Sequence, residues 1–188
     1  MWVLQLDSLG DIQWQKAYGS PLAGTALAVV PATDGGFVAG GNVSTGGSGD
    51  IGLLKLDATG NIQWQKAYGT SDSELLSGIQ LTPDGGDVVA GAVVLSYDVQ
   101  GWVMKLDNFG NLQWQKTYGG DRLDWINSIV LTSDGGYALV GRTSSFGTFS
   151  DDAWVLKLDA LAGLYPVSPV RASNTRLKAA DFASGPKV

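Results

Sequence analysis

The chain contains no cysteine and no histidine. Without cysteine there is no disulfide framework, and the redox setting leaves no mark on the sequence. Without histidine the commonest general base and the commonest zinc ligand are missing, so no metal site is expected. Proline is scarce, with 6 in 188 residues, and charged residues make up 16%. No apolar run is long enough to span a bilayer as a helix, and membrane insertion is not expected. A basic excess is also lacking: the net charge is −6, which argues against nucleic acid as a partner. No sustained helical period appears, and no connection is long enough for a parallel crossover.

Glycine (27), tryptophan (7) and apolar residues (44%) are plentiful, and they recur in register. Trp14, Trp64 and Trp114 are spaced by 50, as are Tyr18, Tyr68 and Tyr118, and Asp34, Asp84 and Asp134. The segment from Ile12 to Gly19 repeats unchanged from Ile62 to Gly69 and with two substitutions from Leu112 to Gly119. A Leu-Asp pair stands at Leu6-Asp7, Leu56-Asp57, Leu106-Asp107 and Leu158-Asp159. The last interval is 52, which places a small insertion near Ser144 to Ser150. Such self-similarity is the signature of a repeat architecture.

Within one repeat the alternation of apolar and polar residues has the period of strands. Leu76 to Thr82, Asp87 to Leu95, Gly101 to Asp107 and Leu112 to Tyr118 read as four strands. Pro83-Asp84-Gly85-Gly86 reads as a turn in which Asp-Gly supplies the positive φ angles. Asp107 to Asn111 reads as a type I turn with Gly110 left-handed. In the fourth strand Ile62, Trp64, Lys66 and Tyr68 share one face. An antiparallel four-stranded meander cannot bury both its faces alone. Stacking meanders around an axis does so, which predicts an all-β fold of β-propeller blades.

The run Lys55-Leu56-Asp57-Ala58-Thr59-Gly60-Asn61-Ile62-Gln63-Trp64 resembles the tryptophan-docking hairpin of PQQ-like propeller blades. Together with Tyr68-Gly69 and the Asp-Gly-Gly turn it more closely resembles the SBBP-like tandem beta-propeller repeat of bacterial and archaeal secreted and surface proteins. The resemblance covers residues 1 to about 160. It implies an extracellular or cell-surface setting, and blade-docking roles for Trp14, Trp64, Trp114, Tyr18, Tyr68 and Tyr118. It carries over no quinone site, and no cofactor is expected. After Asp159 the pattern reads as broken: Ala160 to Gly163 adds a residue, and Leu164-Tyr165-Pro166 stands for Ile-Gln-Trp.

The expected organisation is a repeat domain over 1–160 and a non-repeat tail or linker over 161–188. The domain divides into a partial blade at 1–19 and blades at 20–69, 70–119 and 120–160. That is 13 strands, or three repeats plus one strand, whereas closed propellers have about 4 to 8 blades. One chain is therefore expected to form an incomplete ring. It would be completed by a second copy, with a dimer favoured, by the remainder of a longer propeller, or by a strand from the tail. Pro166 and Pro169 speak against the tail. Met1 is followed at once by Trp2-Val3-Leu4, with no signal peptide before the first strand, which reads as a processed product or a fragment starting mid-repeat.

No single-copy catalytic constellation stands out. Lys55, Lys105 and Lys157 recur beside Asp57, Asp107 and Asp159, which reads as a repeated charge pair. Gln13 and Gln15 are expected to bond neighbouring backbone. Asp50 and Asp152, with Gln100 at the equivalent place and Asp98 nearby, could offer calcium their oxygens, but no run has EF-hand spacing and Gln replaces Asp in one copy, so they read as turn residues before the third strand. Gly47 to Gly52 matches a dinucleotide fingerprint by letter, but a strand follows it. Repeats differ most in their loops, at Ser20 to Gly24, Thr70 to Glu74 and Gly120 to Asp124, and at Val43 to Gly49, Ser96 to Gln100 and Thr143 to Asp151. Fixed strands with variable loops make binding surfaces. Asp72, Glu74, Asp121, Arg122 and Asp124 are accordingly the candidate ligand contacts. The leading expectation is a non-catalytic scaffold or recognition module, with a glycan or a protein as candidate ligand. The alternatives are a sugar-binding propeller lectin and an enzyme working through acidic loop residues such as Asp121 and Asp124.

Overall fold

The structure, a computed structural model, describes residues 1–19, 24–44, 48–147 and 151–164. The loop expected at Ser20 to Gly24, Gly47 of the fingerprint, Thr148 to Ser150 and the tail from Tyr165 onward lie wholly or largely outside the described residues. The strands are short: β1 (Trp2–Leu6), β2 (Ile12–Ala17), β3 (Gly24–Pro31), β4 (Phe37–Ser44), β5 (Gly49–Leu56), β6 (Ile62–Tyr68) and β7 (Ser73–Leu81). There follow β8 (Asp87–Val94), β9 (Val99–Leu106), β10 (Leu112–Tyr118), β11 (Asp124–Leu131), β12 (Tyr137–Thr143) and β13 (Asp152–Leu158). The fold is all-β. All strand pairs are antiparallel neighbours in sequence, forming four sheets: β1-β2, β3 to β6, β7 to β10, and β11 to β13.

Both tight turns of each repeat have one geometry. Thr82 N–H donates to Gly86 O and Gly85 N–H to Thr82 O; Asp107 N–H donates to Asn111 O and Gly110 N–H to Asp107 O. Only the glycine is left-handed, with φ of 82° at Gly85 and 70° at Gly110, so the aspartate of Asp-Gly needs no positive φ. The turn after β13 follows the same pattern: Asp159 N–H donates to Gly163 O, and Ala162 N–H to Asp159 O. Ala162 takes the left-handed place at φ 59°, and Leu164 forms an antiparallel bridge to Leu158. The expected extra residue is therefore not there. The repeat register holds through Leu164, in the position of Ile62.

The core sits between sheets. Ile51 and Leu53 of β5 and Val38 of β4 meet Leu76, Ile79, Val89, Trp102 and Met104 of the third sheet. One step further along, Val88, Ala90 and Val103 meet Ile126, Ile129, Leu139 and Leu156. The first pair of sheets is joined by Val43, Leu54 and Leu56 against Met1, Val3, Trp14 and Tyr18. Strand β7 packs on β3, β4 and β5, and β11 packs on β7, β8 and β9. Each sheet thus covers the apolar face of the one before it.

The fourth strand of each repeat grips the last turn of the next sheet. Trp64 Nε1 donates to Asn108 O (3.1 Å), Lys66 Nζ to Asn111 Oδ1 (2.8 Å) and Tyr68 Oη to Gly110 O (2.7 Å). Trp14, Lys16 and Tyr18 make the same three bonds to Ala58 O, Asn61 Oδ1 and Gly60 O. Lys116 and Tyr118 bond Leu161 O and Ala162 O, while Trp114 meets Tyr137 edge to face at 6.0 Å. The glycine serves this contact twice. Its φ is positive, and a Cβ on Gly110 would come within 3.1 Å of the Trp64 ring. Trp64→Ala is expected to cost about 3–5 kcal/mol through lost area and a cavity, and Trp64→Phe roughly 1 kcal/mol more than its lost area through the missing Nε1 bond. Urea unfolding followed by tryptophan fluorescence and circular dichroism measures both.

Candidate functional site

Two loop families meet at one end of the sheets. The β6–β7 loop, the β8–β9 loop and the start of β5 enclose an open cleft of about 560 Å³, lined by Ser48, Ser71, Asp72, Ser73, Val94, Leu95 and Ser96. Four hydroxyls and one carboxylate make it a polar recess between the second and third sheets. Gly49 N–H donates to Ser73 Oγ (3.4 Å), which ties the two walls. Asp72 N–H donates to Thr70 Oγ1 (3.1 Å), which fixes the loop that carries its carboxylate.

Of the five candidate contacts, Asp72 lies in this cleft, and Asp121 and Arg122 are exposed on the equivalent loop of the next repeat. The other two are not surface groups. Glu74 and Asp124 are both 0% exposed, as β7 and β11 begin with their ends turned inward. Asp124 accepts from the Thr143 hydroxyl, from Ser145 Oγ (2.6 Å) and from Gly120 N–H (2.7 Å). Its carboxylate closes the loop from below the surface. Glu74 Oε1 accepts from Thr70 N–H (3.1 Å) and Thr70 Oγ1 (2.6 Å). Asp50 is likewise 5% exposed and lies within β5, and Asp152 opens β13, so neither is a turn residue preceding a strand.

The repeated lysines also find partners other than those expected. Lys55, Lys105 and Lys157 pair with Asp34 (3.1 Å), Asp84 (2.9 Å) and Asp134 (2.8 Å), the turn aspartates of the same sheet. Asp57 and Asp107 instead close their own turns: Asp57 Oδ1 accepts from Thr59 N–H and Asn61 N–H, and Asp107 Oδ1 from Phe109 N–H and Asn111 N–H. The Asn61 amide is the main reason that the Asp57 carboxyl is held down at about 2. Burial opposes the Asp84 anion, but the Thr82 hydroxyl, Lys105 and Gly86 N–H outweigh it and bring its carboxyl to about 2. Gln13 Nε2 bonds the Asp7 carboxylate (3.2 Å) instead of neighbouring backbone.

Reading the sequence passes over Asp87. It begins β8 in the place that Phe37 and Tyr137 hold in their sheets, where each ring meets the tryptophan edge to face. It is 2% exposed, its Oδ1 has no hydrogen-bond partner among the described residues, and burial pushes its carboxyl up to about 6 against the pull of Lys55 and Lys105. A signal was present: aligning the repeats puts one acid in a column of aromatics. Because the folded value lies above the unfolded 3.8, the native state binds the extra proton between about pH 4 and 6. Stability from this group is full below about pH 4 and is lost as pH rises through 6. Asp87→Asn should therefore gain up to about 2 kcal/mol at about pH 7.5 and nothing at about pH 4, seen as a difference in Tm between the two proteins that closes on acidification. No protein-family profile matches the chain, and no curated protein matches it in sequence.

Proposed function

We propose that the four sheets are β-propeller blades and that the chain is a non-catalytic scaffold or recognition module whose ring is completed by a second copy docked head to tail. The observation that carries this reading is a difference in burial at equivalent positions. Ile79 and Ile129 are 3% and 2% exposed, but Val29, in the same place of the second sheet, is 62% exposed. Leu53 and Val103 are 0% exposed, but Val155, their counterpart in the last sheet, is 65% exposed. Leu6 is 49% exposed where Leu56, Leu106 and Leu158 are fully buried. Among the described residues, both end faces therefore carry the residues of an inter-sheet core without a cover.

The two faces are the two halves of one interface. Val130, Val140 and Val155 correspond to the side that sheets turn toward their successor; Trp2, Leu6 and Val29 correspond to the side turned toward the predecessor. A contact between them is heterologous, and such contacts close into rings or run on as filaments. Two chains bring 26 strands, the content of six four-stranded blades with two strands over, within the range of about 4 to 8 blades of known propellers. The remainder of a longer propeller would cover the same faces, and an extracellular or cell-surface setting belongs to the same proposal.

A sugar-binding role is the second reading, favoured by the cleft with Ser48, Ser71, Ser73, Ser96 and Asp72 at its wall. Serine hydroxyls and a carboxylate are the groups that bond sugar hydroxyls. A glycan-array screen with a hit lost in Asp72→Ala would support it; an array without hits would remove it.

For the leading reading, light scattering should give twice the chain mass of 19.6 kDa. Val155→Glu should halve that mass, with circular dichroism unchanged. A monomer at micromolar concentration, or a Val155→Glu protein of unaltered mass, would refute head-to-tail pairing.

A further inference from the structure

Behind the serine-lined cleft two buried carboxylates converge. Asp50 of β5 and Glu74 of β7 are 5% and 0% exposed, and they come from neighbouring sheets. Both point at Gly69: a Cβ placed there would lie 2.0 Å from Asp50 Oδ1 and 2.7 Å from Glu74 Oε2. The two oxygens thus meet around one small volume. Glu74 Oε2 is buried and has no hydrogen-bond partner among the described residues, its sister oxygen having taken both donors that Thr70 offers.

The equivalent place one repeat later is arranged differently. Around Gly119 the converging groups are Gln100 Oε1 at 2.5 Å and Asp124 Oδ2 at 2.7 Å from the same imagined Cβ. An amide replaces one carboxylate there, and Gln100 Nε2 donates to Gly120 O (2.6 Å). Asp124 in turn is met by Thr143, Ser145 and Gly120. Asp124 faces three donors at that site, and Asp98 Oδ2 accepts from the same Gln100 amide. At Gly69 two carboxylates face each other, and among the described residues Glu74 Oε2 has no partner. Burying anionic oxygens against each other without a counter-charge is strongly unfavourable.

We infer that Asp50 and Glu74 hold a divalent cation of the calcium type between the second and third sheets, beside Gly69. The donors are hard oxygens, with no imidazole or thiolate anywhere in the chain, which selects calcium over zinc or copper. Calcium accepts irregular sets of oxygens, so water from the cleft completes a shell that two carboxylates begin. The cation bridges two sheets, which makes it a clasp at the loop end, opposite in kind to the tryptophan grip. Nothing about the clasp requires the ring to close.

The test uses the full chain after chelator treatment, with calcium chloride as the probe. Isothermal titration calorimetry should show one calcium per chain. Thermal unfolding should rise by roughly 5–10 °C when calcium exceeds its Kd ~100-fold. Asp50→Asn and Glu74→Gln, which keep side-chain shape, should each weaken binding by about tenfold or more and abolish the calcium-dependent rise in Tm. Asp72→Asn, at the cleft wall, should retain both. Absence of binding heat up to millimolar calcium, with one Tm in calcium and in chelator, would overturn the inference. So would an equal loss in Asp72→Asn, since general surface charge would then be responsible.

Discussion

The structure depends on the grip that each fourth strand places on the turn of the next sheet. Three side chains on one strand face, Trp64, Lys66 and Tyr68, reach three acceptors on a single turn. The turn accepts them because it is left-handed at glycine, which exposes the carbonyls and leaves room for the indole ring. A net of about 1 kcal/mol per hydrogen bond is modest, but the ring area buried with it adds several more. Four-stranded meanders have no stable life with two bare apolar faces, so this contact is what makes the repeats a single body.

The same dependence explains the ends. An inter-sheet core is made by two different faces, one from each neighbour, and only interior sheets have both neighbours. Val155 and Val29 are ordinary core residues in positions where the neighbour is missing or partial. Their exposure follows from repeat arithmetic, without any change in the local sequence. The last turn shows how little is needed to keep the register: Ala162 replaces glycine at φ 59° and Tyr118 still bonds its carbonyl.

Where repeats diverge in chemistry, they do so inside a fixed geometry. Phe37, Asp87 and Tyr137 occupy one position, and burial turns the acid of the three into a group with a carboxyl at about 6. Asp50 and Gln100 occupy another, and the exchange turns an amide facing the Asp124 carboxylate into a carboxylate facing Glu74. The strand scaffold tolerates these exchanges because backbone pairing and the tryptophan grip carry the fold, leaving loop-end positions free to vary.

Much of the fold was legible in the chain itself. The 50-residue spacing of Trp14, Trp64 and Trp114, the period-2 strands and the Asp-x-x-Gly turns determine thirteen strands and their antiparallel order, because strand period and turn chemistry are local. The candidate site was legible only in part. Asp72 lines the cleft, but Glu74 and Asp124, close along the chain to exposed residues, are buried by strands that begin earlier than their pattern suggests. Lys55 looked like the partner of Asp57, two residues away; it pairs with Asp34 across a strand. Sequence determined which residues repeat, since repetition is a property of the chain. Tertiary structure alone decided which of them meet, because charge pairing and burial depend on distances across strands and between sheets, where nearness along the chain counts for nothing.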